Sequence, residues 1–184
     1  MKRLFVAIKI HPSETYTIVF KQILSSLSHE RIKWVDPSNM HLTLKFLGET
    51  DETKIPEITH VLQKAVANSK PFSLQIADAG IFGSRYDPKV IWFGIKKHPE
   101  LEKLAKDIFI GLQSCNWQPD RQNFVPHLTI GRIKEIKDKP LFQQIISRFR
   151  TIEIQNEIVT EFILYESILK REGPQYIAIS RFAL

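Results

Sequence analysis

The sequence predicts an α+β fold: two pseudo-symmetric lobes of mainly antiparallel sheet, with helices on the outside. Three observations lead there. Stretches with strand period and stretches with helical period are interleaved without a strict βαβα alternation, which argues against a doubly wound sheet. Several strand-like stretches follow one another across short connections, as hairpins do. Finally, the stretch His41–Glu49 is echoed at His127–Glu135, each copy on a strand-like run followed by a helical one.

Element by element, Leu4 to Ile10 is rich in branched and aromatic residues and reads as a buried first strand. Tyr16, Val19, Phe20, Ile23, Leu24 and Leu27 recur at helical spacing behind Ser13, a good N-cap. Ile32 to Val35 is a short strand, Asp36 to Asn39 a turn, and Met40 to Leu47 an alternating strand. A second helix follows Gly48, with Ile55, Ile58, Leu62, Ala65 and Val66 on one face and Pro56 in its first turn. Phe72 to Ile76 and Val90 to Ile95 are strands, separated by a Gly-containing loop from Gly80 to Pro88. Leu101, Leu104, Ala105, Ile108, Phe109 and Leu112 define the third helix. Trp117 to Asn123 reads as a polar connection, Val125 to Ile133 as a strand, and Pro140 to Phe149 as a short helix. Ile152 to Ile154, Val159 to Ser167 and Tyr176 to Phe182 are the last strands. No low-complexity stretch or long linker divides residues 1–184, which read as one domain of two lobes.

Composition narrows the function. The 184 residues include 12 Phe and 3 Trp, enough for a sizeable core. The 26 Lys and Arg outnumber the 20 Asp and Glu, giving a net charge of +6 that favours anionic partners. Cys115 is the single cysteine, so an internal disulfide and a Cys-based metal site are excluded. At the N-terminus the apolar run from Leu4 is interrupted by Lys9, which argues against a signal peptide. No stretch approaches the ~20 apolar residues of a membrane helix. The expectation is a cytoplasmic monomer with no membrane partner.

The echo carries the chemistry. His41-Leu-Thr-Leu-Lys-Phe-Leu-Gly-Glu49 aligns with His127-Leu-Thr-Ile-Gly-Arg-Ile-Lys-Glu135. Alternate residues of a strand share a face, so His41 and Thr43 point one way, as do His127 and Thr129. The polar face of a half-exposed strand would account for either pair alone; the matched repetition points to a shared centre. Imidazole titrates near neutrality, so one histidine can serve as acid while the other serves as base. Two hydroxyls can donate hydrogen bonds to non-bridging phosphate oxygens. A zinc site would want three or more His, Cys or carboxylate ligands in register, and no such spacing is visible. No metal and no cofactor are expected, and the absence of a P-loop argues against ATP-driven ligation.

In these two motifs the sequence resembles the two-histidine (2H) phosphoesterases, and among them the bacterial and archaeal RNA 2′,3′-cyclic phosphodiesterases, also called 2′-5′ RNA ligases. The likeness spans nearly the whole chain: Arg3-Leu-Phe-Val-Ala-Ile8, Trp34-Val35, His41 to Glu49, Gly80 with Phe82, Val90-Ile-Trp-Phe-Gly94, Pro126-His-Leu-Thr-Ile-Gly-Arg132, Leu164-Tyr-Glu-Ser167, and Gly173-Pro174-x-Tyr176. The resemblance implies a bilobal fold with the active site in the cleft between the lobes. It implies metal-independent opening of a 2′,3′-cyclic phosphate to a 2′-phosphate at an RNA end, tRNA fragments included. In that scheme His41 is the proton donor and His127 the proton acceptor. Thr43, Thr129 and Arg132 bind the phosphate. Because the motifs are nearly symmetric, the residues alone do not assign donor and acceptor.

Phe46 and Trp34 are candidates for stacking on a base, with core packing the weightier expectation for both. Arg85, Tyr86 and Lys89 could reach substrate from their loop or simply be solvated. His11, His29, His60 and His98 have no partner motif and read as structural or surface groups. Two other substrates fit the same four residues: a cyclic phosphate of ADP-ribose, or a 2′-5′ oligonucleotide. A non-catalytic RNA-binding module is the alternative from another class, disfavoured because binding alone needs no acid/base pair.

Overall fold

The computed structural model describes residues 1–67, 69–117, 124–171 and 173–184. In chain order the elements are β1 (Lys2–Lys9), α1 (Glu14–Ser26), β2 (Arg31–Trp34), β3 (His41–Thr50), α2 (Ile55–Val66), β4 (Phe72–Gly83) and β5 (Pro88–Ile95). They continue with α3 (Pro99–Ser114), β6 (His127–Glu135), α4 (Lys139–Ser147), β7 (Glu153–Val159), β8 (Glu161–Leu169) and β9 (Pro174–Ala183). The strands form two sheets, ordered β3-β1-β8-β9 and β2-β6-β5-β4-β7. Every ladder is antiparallel. The fold is the α+β arrangement expected, but the lobes are unequal and interlaced. The four-stranded sheet draws strands from both ends of the chain.

Each sheet has one apolar face covered by a helix pair. α2 and α3 pack on the four-stranded sheet, and α1 and α4 on the five-stranded one. Leu4, Val6, Ile8, Leu42 and Leu164 from the first sheet join Leu74, Ile91, Phe93, Leu128 and Ile130 from the second in one continuous core. The helices form where periodicity and caps agree. The Ser13 hydroxyl accepts a hydrogen bond from the Tyr16 N–H, and α1 then buries Tyr16, Val19, Phe20 and Ile23. α3 buries Leu101, Leu104, Ala105, Ile108 and Leu112, as its spacing predicts. The chain entering α4 is held by the Glu30 carboxylate, which accepts from the N–H groups of Lys137 and Asp138 at 2.6 and 3.0 Å.

Boundaries shift by a few residues in several elements, and two shifts change the reading. β4 does not stop at Ile76 but runs to Gly83, reducing the expected loop to the tight turn Ser84–Asp87. The reason lies in Gly80, which lies opposite Trp92. A Cβ there would come within 2.3 Å of the indole, so the glycine makes room for a ring instead of breaking the strand. The break between the next two strands is displaced as well: β7 runs on through Val159, where the sequence reading began the following strand, and the chain leaves the five-stranded sheet for the other at Thr160. The expected polar connection falls, from residue 118 to 123, outside the described residues. Among the described residues no helix is long and apolar enough to cross a membrane.

Candidate active site

β3 edges the four-stranded sheet and approaches β6 of the other, so the two echoed segments meet in the cleft between the sheets. They have the same fine structure. Opposite β1, Thr43 pairs with Ala7 and Lys45 with Val6, leaving Leu44 as an extra residue. Opposite β5, Thr129 pairs with Trp92 and Gly131 with Ile91, leaving Ile130 extra. Each copy therefore has a β-bulge directly after its threonine. From the histidine onward, both copies run half-buried, buried, half-buried, buried, buried, exposed. The bulge moves the next cleft-facing residue from the fourth position after the histidine to the fifth. Phe46 occupies that place in one copy and Arg132 in the other.

The result is a cavity of about 770 Å³ lined from both sheets. His41, Thr43 and Phe46 line it from β3, and His127, Thr129 and Arg132 from β6. The two histidines, two threonines, Phe46 and Arg132 that the sequence pointed to are therefore brought together. The expectation that Phe46 packs in the core is corrected: the residue is 48% exposed, with the Arg3 guanidinium 5.1 Å from its ring centroid. Trp34 does both things, standing edge-on to Phe20 of the core while lining the cavity. Arg85, Tyr86 and Lys89 do not line it. Lys89 pairs with Asp87 instead, and Arg85 stacks over Tyr86. His11 binds Glu157 at 2.9 Å, on the edge strand of the other sheet. His98 stacks on Phe72 beside α3.

The two imidazoles are held alike. His41 Nδ1 lies 2.7 Å from the Asn39 carbonyl oxygen, and His127 Nδ1 lies 2.7 Å from that of Val125. A carbonyl only accepts, so Nδ1 carries the proton in both rings and Nε2 is left for a ligand. Aromatic rings flank both imidazoles: Tyr176 edge-on and Phe5 tilted beside His41, and Phe82 edge-on beside His127. Asn39 does more than its counterpart, since its side-chain amide also donates to the Pro174 carbonyl at 3.1 Å.

Electrostatics follow from burial and from cations. Burial pushes the His41 pKa below the usual imidazole value, and Lys9, Arg132 and His127 lower it further against the Asn39 carbonyl. His127 is lowered in the same way, by burial and then by Arg132, with the Val125 carbonyl opposing. Burial also lowers Lys9, opposed by Asp36. Arg3, Lys33, Arg132 and Lys170 line the cavity, with Asp36 the single acidic lining residue among the described residues. An anion entering this space would stabilise the imidazolium forms and complete the charge balance. Among the described residues no group of three His, Cys, Asp or Glu side chains is placed to hold a metal.

Arg3, Phe5, Lys33, Asn39 and Tyr176 were not singled out one by one from sequence. Arg3, Phe5 and Tyr176 lie within the stretches that carry the family resemblance. Lys33 and Asn39 have no local signal, because their place depends on which strand each meets.

Comparison with known proteins bears on the family and the fold. The family model of the 2′-5′ RNA ligase superfamily matches residues 19–165. The RNA 2′,3′-cyclic phosphodiesterase of Archaeoglobus fulgidus is 34% identical over 175 residues, covering 95% of this chain and 96% of that protein. The RNA 2′,3′-cyclic phosphodiesterase of Thermotoga maritima is 38% identical over 145 residues, covering 78% and 74%. Among solved structures, E. coli LigT complexed with 3′-AMP superposes with a TM-score of 0.75 at 26% identity, over 100% of this chain and 98% of that one. A Thermus thermophilus protein, TT0787, at 24% identity and a TM-score of 0.79 over 99% and 97%, shares the fold.

Proposed function

The chain belongs to the 2′-5′ RNA ligase superfamily, and on that premise we propose that it is a cytoplasmic, monomeric RNA 2′,3′-cyclic phosphodiesterase that opens cyclic phosphate ends, tRNA fragments included, to 2′-phosphates. One observation carries the reading: two His-x-Thr pairs, each followed by a bulge, line one cation-rimmed cavity from facing sheets. The relatives named RNA 2′,3′-cyclic phosphodiesterase support it.

In the proposed reaction the cyclic phosphate lies between the two imidazoles. His127 Nε2 takes a proton from water as the water oxygen bonds to phosphorus. His41 Nε2 gives a proton to the 3′-oxygen as the P–O3′ bond breaks. Thr43 and Thr129 donate hydrogen bonds to the non-bridging oxygens, and Arg132 neutralises the charge that builds there. Assignment of donor and acceptor rests on the family resemblance. Phe46, with Arg3 over one face, offers the terminal base a stacking surface. With a 5′-hydroxyl in place of water, the same attack on the cyclic phosphate and departure of the 3′-oxygen gives a 2′-5′ linkage without ATP.

The test is incubation of a short RNA ending in a 2′,3′-cyclic phosphate, in EDTA, with the protein and with His41→Ala and His127→Ala. A 2′-phosphate from the unmodified protein, with turnover reduced about 10²–10⁴-fold in each variant, is the expected result. An unopened cyclic end, or full activity in either variant, overturns the proposal.

A further inference from the structure

The ladder between β2 and β6 contains an arrangement that folding alone disfavours. At one end Arg31 faces Glu135, and the two form an ion pair at 2.9 Å. Further along, Lys33 faces Arg132, two like charges directly opposed across an antiparallel pair. Such a pair is destabilising, and no described acid forms an ion pair with either side chain. Both side chains line the cavity, and Lys33 is exposed. β2 is the outermost strand of its sheet, so Lys33 stands between the reacting centre and open solvent.

Resting on the function proposed above, we propose that Lys33 binds the phosphodiester immediately upstream of the terminal nucleotide. The enzyme is thereby specific for oligoribonucleotide ends over cyclic mononucleotides. Arg132 lines the same cavity as His41, Thr43, His127 and Thr129, which puts it beside the reacting phosphate. Lys33 is its neighbour one strand out, about 5 Å away in the hydrogen-bonding direction. Two adjacent cations are relieved by two successive phosphates of one chain, and the like-charge pair is stabilised when that chain is bound. Lys170, on the β8–β9 turn, lines the same cavity from the other sheet and adds to the field along this exit. No bond is made or broken at this subsite. Its contribution is uniform binding, which appears in KM and leaves kcat nearly unchanged.

The experiment compares two substrates: a 2′,3′-cyclic mononucleotide, which has no upstream phosphate, and a dinucleotide ending in the same cyclic phosphate. Lys33→Ala is expected to lower kcat/KM for the dinucleotide about tenfold, through KM, while leaving the mononucleotide within about twofold. Lys33→Arg should keep most of the dinucleotide preference. Retained mononucleotide turnover in Lys33→Ala also reports an intact fold. Equal losses on both substrates, or no loss on either, overturn the subsite while leaving the cyclic phosphodiesterase reading in place. An unmodified protein that opens neither substrate overturns that reading, and the subsite with it.

Discussion

At the scale of single residues, the two histidines differ in how firmly they are held. Both rings donate from Nδ1 to a main-chain carbonyl, but Asn39 is itself tied to Pro174 whereas Val125 is an exposed apolar residue. Pro174 opens β9, and two residues on Tyr176 meets the His41 ring edge-on. Asn39→Ala leaves the carbonyl acceptor in place but frees the turn from β9. The expected outcome is a fall in kcat of about tenfold, from misorientation of His41, with KM little changed and the thermal midpoint shifted by only a few degrees. The pH profile supplies a second check. Both histidines have pKa values lowered from 6.5, mainly by burial. With one protonated and one neutral imidazole required, kcat/KM should be bell-shaped, and its limbs report the free enzyme. Lowered values move both limbs toward acid, so the maximum is expected below pH 6.5. A flat profile from pH 5 to 8 with chemistry rate-limiting contradicts the two-histidine scheme.

At the scale of elements, the bulges decide which side chains reach the cleft. Were Leu44 and Ile130 paired regularly instead of bulged, period-2 alternation would turn Lys45 and Gly131 toward the cavity and Phe46 and Arg132 toward the core. Instead Lys45 is buried, with its ammonium 5.7 Å from the Phe109 ring centroid, and Gly131 lies beneath Trp34. The neighbouring hairpin has its own steric requirement, at Gly80. Gly80→Ala must displace the Trp92 indole, which leans against Phe82, which in turn flanks His127. A loss of roughly 1–3 kcal/mol in urea unfolding is expected, with reduced turnover as the second readout. Unchanged stability would show that the indole can move aside freely.

At the scale of the whole molecule, a net charge of +6 is distributed so that cations line the cleft. Binding an RNA end there releases counterions. The logarithm of affinity for single strands should fall with the logarithm of salt, by about 0.7 for each phosphate contacted. The dinucleotide should therefore show a slope of about −1.4, and the cyclic mononucleotide about −0.7, by filter binding or inhibition with non-hydrolysable analogues. Equal slopes would mean that one phosphate is contacted in both cases. The interlaced topology matters here too. Because β1 and β8 lie side by side in one sheet, residues from the two ends of the chain, Arg3 and Tyr176 among them, line the same cavity.

Much of this was legible in the linear chain. The helices at Tyr16 to Leu27 and Leu101 to Leu112 are spelled out by spacing, because an amphipathic face has to repeat every 3.6 residues. The pairs His41/Thr43 and His127/Thr129 are visible because imidazole and hydroxyl at strand spacing are scarce and here occur twice. The α+β class follows from the order of the periodic segments, a local property of the chain. Other features depend on partners distant in sequence. Whether Phe46 enters the core or the cleft is set by a one-residue register shift against β1, which Phe46 itself does not encode. The position of the break at Thr160 is not legible because the stretches on either side have the same strand period and differ only in the sheet they join. The opposition of Lys33 and Arg132 exists only once β2 pairs with β6, across 99 positions of sequence. The order of residues thus specifies the chemistry at hand and the local elements that hold it. Register and sheet membership are settled only on folding, because they depend on hydrogen bonds and packing between segments far apart in the chain.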